Sequence, residues 1–159
     1  MANRDIDHLL KLLDEAYNLA AWHGPNLRGS IRRVTAREAV LSPKIGRHNI
    51  WEITVHAAYW KYAERRRPTA EKRGSFPLSG SNWFVRPIHR TEKAWRDDVL
   101  LLDNEHRLLR ETVSAFSPDK LDRRVPGSKS TARRLIVGIA LHDVYHAGQI
   151  QLIKKLLKK

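Results

Sequence analysis

The chain has 159 residues, 42% of them hydrophobic and 30% charged, which suits one folded domain over its whole length and argues against disorder. Thirty lysines and arginines against 17 acidic residues give a formal net charge of +13, which fits either a solvated basic surface, the reading the scattered charges favour, or an anionic partner. There is no cysteine, which excludes disulfides and thiolate metal ligands, and no apolar run approaches the ~18 residues of a membrane span.

In chain order, the first residues, Met1 to His8, alternate charges and lack the apolar centre of a signal peptide, making the cytoplasm the default location. From about Asp5 to Trp22, Ile6, Leu9, Leu10, Leu13, Tyr17, Ala20 and Ala21 share one helical stripe. His23-Gly24-Pro25 should stop that helix. A connection follows in which Thr35 and Glu38 have the spacing of a capping box.

A second long helix is expected from roughly Asn49 to Arg66, ended by Pro68, with Ile50, Ile53, Ala57, Trp60 and Ala63 inward. Counted from Ile53, His56 lies about 60° from the centre of that stripe and His48 about 140° away. A Gly-, Ser- and Pro-rich loop covers 69–82, and Trp83 follows it, placed to wall a pocket. The third helix runs approximately from Glu92 to Phe116, with Trp95, Val99, Leu102, Leu109 and Val113 inward and His106 on the same stripe. After breaks at Pro118 and Pro126-Gly127, the fourth helix begins near Ser130 or Thr131 and runs almost to the end. Its stripe is Leu135, Ile139, His142, His146, Gln149, Ile153 and Leu156. Four long helices without competing strand alternation predict an all-α four-helix bundle.

His142 and His146 are the most informative residues. Four residues apart on a helix, they sit about 40° apart on one face and roughly 6 Å apart along the axis, within reach of a single metal ion. Three imidazoles on a bundle seam would each cost on the order of 1–3 kcal/mol if left without partners. A shared cation removes that cost, so His142, His146 and the inward His56 are the expected ligands, with at least one coordination position open. Zinc, nickel, iron and manganese all accept imidazole. Asp143 stands where the H-E-x-x-H helix has its glutamate, but turned about 100° from His142. It is a weak candidate for general-base work and is expected rather to support the site from behind or to lie on the surface. Gln149, His23 and His106 are weaker candidates to contact a ligand or substrate.

Ile50-Trp51-Glu52-Ile53-Thr54-Val55-His56, taken with His142-Asp143-Val144-Tyr145-His146-Ala147-Gly148-Gln149 and with Trp22-His23-Gly24-Pro25-Asn26-Leu27, resembles the DinB-like (DinB/YfiT) superfamily. The resemblance covers nearly the whole chain. It implies an up-down-down-up bundle and a divalent metal at its end held by His56, His142 and His146. It also implies a homodimer. Some relatives are S-transferases that use the metal to activate a low-molecular-weight thiol; others have no assigned reaction.

Two functions are weighed from these residues. The first is a metal-dependent transferase or hydrolase acting on a small, anionic molecule, with a thiol coming from substrate or cofactor because the chain has none. The second is a basic nucleic-acid-binding or stress-response protein with a structural metal. The second is disfavoured because the basic residues are scattered in short clusters (Arg65-Arg66-Arg67, Lys72-Arg73, Lys158-Lys159 and others), without a long basic run or an aromatic stacking strand.

Overall fold

Polar caps set where the helices begin. Asn49, Thr91 and Thr131 each accept a backbone amide three residues on, opening three long helices, and Thr35 with Glu38 forms the expected reciprocal box. In the computed structural model, which describes residues 2–158, the helices are α1 (Ala2–Tyr17), α2 (Leu27–Ser30), α3 (Ala36–Ala39), α4 (Ile50–Thr69), α5 (Glu92–Ser114) and α6 (Ala132–Leu156). A 3-10 turn covers Pro118–Lys120, and no strand is present among the described residues. Lys159, half of the last basic pair, lies outside them.

Two helix ends differ from the sequence expectation. α1 stops at Tyr17 rather than Trp22, because the amides of Asn18 and Leu19 both bond to the Asp14 carbonyl, at 2.9 and 2.8 Å, closing the helix early. The Leu19 carbonyl is then taken by Asn26 Nδ2 at 2.7 Å, and Trp22 is left fully exposed. α4 continues through Pro68 to Thr69. In the last turn a proline removes only one helical bond, and Ala70, left-handed at φ 55°, ends the helix by returning its amide to Arg66 and Arg67.

Directions follow from which residues meet. Trp51 reaches Asp98 while Lys61 reaches His106, so α4 and α5 run parallel. His56 faces His146 while Lys61 faces Asp143, so α6 runs against α4. Asp14 pairs with Arg110 and Tyr17 with Asp103, setting α1 against α5, and Asp5 pairs with Arg133 at the common start of α1 and α6. The order is up-down-down-up, and the long 70–91 connection carries the chain back along the bundle so that α5 can start beside the start of α4.

The core is divided. One cluster, with Trp51, Ile53, Trp95, Leu102 and Ile150, fills one end; another, with Leu13, Leu109, Val113, Ile136 and Ala140, fills the other. Between them the helices place Lys61, His106, Asp143 and the histidine trio, so a buried polar layer crosses the bundle. α6 is buried over a wider arc than its histidine stripe predicted. Its fully buried centre includes Ala140, Asp143, Ala147 and Ile150, whereas Leu156 is exposed, because the helix packs against both α1 and α4.

Candidate metal centre

Three rings converge at the α4–α6 contact. His142 Nε2 lies 3.1 Å from His56 Nε2 and 3.0 Å from His146 Nε2. For His56 and His146 the opposite nitrogens fix the tautomers. His56 Nδ1 is 2.8 Å from the Asn82 carbonyl, which can only accept, so Nδ1 carries the proton and Nε2 a lone pair. His146 Nδ1 donates to Gln149 Oε1 at 2.7 Å, and the Gln149 amide in turn donates to the Tyr145 hydroxyl at 2.9 Å, so His146 Nε2 is a lone pair as well. His142 Nδ1 is buried without a partner.

Burial, first of all, lowers the pKa of all three rings: His142 to about 3, helped by its neighbouring histidines and Lys61, His146 to about 4, and His56 below its ordinary range. Near neutrality the trio is therefore uncharged. Lone pairs pressed together in a half-dry site repel unless a cation lies between them. The residues fit such an ion: one ring nitrogen from each lies within 4.8 Å of the others, and tetrahedral zinc–imidazole bonds of about 2.0–2.1 Å put ligand nitrogens roughly 3.3 Å apart. His56, His142 and His146 can hold a divalent metal. These three ligands would all be nitrogen, and all three rings line a pocket of about 660 Å³.

Trp83 is among the residues lining that pocket, stacking on His56 with ring centroids 3.7 Å apart and on His48 at 3.6 Å. His48, turned away from the bundle interior, contributes this outer layer. The pocket is otherwise apolar along Ile53, Leu152 and Leu156, with Lys44 and Arg47 among its lining residues.

A family model described as DinB superfamily matches residues 19–150. The chain belongs to the DinB superfamily. No curated protein and no solved structure matches it in the other two comparisons.

Within this DinB-superfamily bundle the weaker site candidates separate. Gln149 orients His146. His106 is buried but belongs to the polar layer behind the trio, with Nδ1 3.3 Å from Lys61 Nζ and its ring stacked on Tyr17 at 3.8 Å. His23 is exposed in the turn after α1 and takes no part in the trio. Asp143 is not on the surface: it is completely buried and ion-paired to Lys61, itself completely buried. Burial raises the Asp143 carboxyl and lowers the Lys61 ammonium, while their mutual attraction opposes both shifts. Next to His142 in the chain but turned by one residue's rotation, Asp143 directs Oδ2 to Lys61.

Lys61 and Asn82 were not legible as site residues. A lysine on a helix otherwise read as amphipathic gives no signal that it is buried. Asn82 acts through its backbone carbonyl, in a left-handed conformation (φ 65°) that asparagine tolerates better than most residues. Its side chain also accepts from Trp60 Nε1 at 2.9 Å, tying the loop to α4 at His56 and again one turn further on.

Proposed function

We propose that this DinB-superfamily protein is a divalent-metal-dependent enzyme acting on a small molecule, transferring a group to or from a thiol, or hydrolysing with water, at the open position beside His56, His142 and His146. One observation carries the reading: the Nε2 atoms of three imidazoles lie together in rings that line a pocket large enough for a substrate. Zinc or nickel is the expected ion, with iron or manganese as alternatives. When bound, it supplies Lewis acidity that makes a coordinated thiol or water more acidic near neutral pH.

The chain's own groups do the rest. Asn82 and Gln149 hold two rings in the tautomer that offers Nε2 inward, as partners beyond the ligands generally do. Trp83 covers one face of His56 and excludes water from it. Lys44 and Arg47 favour an anionic group on the substrate, and Leu152, Ile153 and Leu156 receive its carbon body. The chain has no thiol, so a low-molecular-weight thiol would enter with the substrate or as cosubstrate.

A homodimer is part of the same proposal. Leu141, Tyr145, Leu152 and Leu156 lie within about 60° on the outer face of α6 and are 46–63% exposed, an apolar row whose last three members also line the pocket.

Elemental analysis of protein purified without a polyhistidine tag tests the reading, followed by titration of a cobalt-substituted form with small thiols and anions. About one metal per chain is expected, with a shift in the visible spectrum as a thiol binds. Full metal occupancy in His142→Ala, or a cobalt spectrum indifferent to every ligand tried, refutes it.

A further inference from the structure

A second pocket, of about 450 Å³, lies at the C-terminal end of α4, and none of its lining residues lines the histidine pocket. Folding brings two basic clusters together there: Arg66 and Arg67 from the last turns of α4, and Arg73 from the loop that follows. No lining residue carries a carboxylate. Arg67 is engaged by Glu64 and lies 5.7 Å over the Trp60 ring. The other two have capacity left. Arg66 uses Nη1 on the Glu71 carbonyl at 3.0 Å, and neither Arg66 nor Arg73 forms an ion pair among the described residues. Ser79 and Ser81 add hydroxyls, and Tyr59 and Phe76, packed with centroids 5.4 Å apart, add aromatic surface.

Three guanidinium groups around one cavity repel one another, and of the three only Arg67 is ion-paired among the described residues. A dianion would offset that repulsion, and the planar fork of arginine matches phosphate oxygens two at a time. The volume falls in the range of small-molecule sites. A nucleic-acid strand would instead need phosphate contacts spread along a groove. We propose that this pocket binds a small phosphorylated molecule, a phosphomonoester whose apolar or aromatic body rests against Tyr59 and Phe76 while its phosphate meets Arg66, Arg73 and the serine hydroxyls. This site goes beyond the metal-dependent function and does not require it.

The probe is phenyl phosphate, titrated calorimetrically into the chelator-treated full-length protein, with phenol as the uncharged control. Chelation and a parallel titration of His142→Ala remove any contribution from phosphate on a metal. The expected result is saturable one-to-one binding, absent with phenol. Arg73→Ala and Arg66→Lys should each weaken it roughly tenfold, because the first loses a guanidinium and the second keeps the charge but loses the fork. Arg123→Ala with Arg124→Ala removes two charges elsewhere and should leave the affinity unchanged. Non-saturable binding overturns the proposal, as does equal weakening by the distant pair, or indifference to both pocket substitutions; each would mean that the phosphate senses only the overall +13 charge.

Discussion

Replacing Lys61 by methionine is the most informative single perturbation of this fold. Asp143 would then be a completely buried carboxylate with no ion-pair partner: Oδ2 loses the Lys61 ammonium, and Oδ1 already has no hydrogen bond. Breaking a buried pair by removing one partner costs about 3–5 kcal/mol, because the remaining charge keeps its desolvation penalty without compensation. In a chain of this size each kcal/mol moves the melting temperature by about 2–4 °C, so a fall of roughly 6–20 °C is expected. Removing both charges, with Lys61→Met and Asp143→Val together, should restore stability to within about 1 kcal/mol of the parent or above it; with each single variant costing about 3–5 kcal/mol, the coupling is then at least about 5 kcal/mol. Burial already raises the Asp143 carboxyl, so the single variant can escape by protonating it, and its deficit should shrink as pH falls toward 5. Urea denaturation of the parent, both single variants and the double variant at pH 7.5 and pH 5 measures all of this. A single-variant cost below about 1 kcal/mol, or a double variant no better than the worse single, would show that the pair is not the buried, mutually dependent unit described here.

Four further outcomes are expected. His142→Ala should weaken zinc or nickel binding by more than about a hundredfold, beyond what loss of an outer partner costs, as read by competition with a chromophoric chelator. Gln149→Leu frees the His146 ring and should weaken metal binding about 10–100-fold without unfolding the protein; unchanged affinity would mean that Gln149 does not orient the ligand. Trp83 stacks on His56, so metal binding should change tryptophan fluorescence in the parent but much less in Trp83→Leu. The pH dependence of the metal-free protein has a definite sign. The pKa values of His56, His106, His142 and His146 are all lowered by burial, so the unfolded chain takes up protons near pH 6.5 while the folded chain does not until lower pH. The stability they contribute is present above pH 6.5 and should be lost between about pH 6 and 4, by up to about 1.4 kcal/mol per pH unit for each histidine. A flat profile across that window would contradict their burial.

The sequence by itself determined the helices and the trio. Periodicity and caps are local properties, settled within three or four residues, so Thr35, Thr131, the breaks near Pro118 and Gly127, and the shared face of His142 and His146 could all be read directly. His56 was within reach because a helical angle from Ile53 shows which way a side chain points. Tertiary structure alone decided what each face meets. α6 is buried on two sides, and this makes Asp143 a core residue instead of a surface one; no count along a single helix reveals a second neighbour. Lys61 is buried because Asp143 stands opposite it on another helix, and the two positions are 82 apart in the chain. After α1 closes at Tyr17, Asn26 returns to take the Leu19 carbonyl, and a loop carbonyl at Asn82 orients His56. Such partners are chosen by distance in space, and side-chain spacing within one segment carries no information about them.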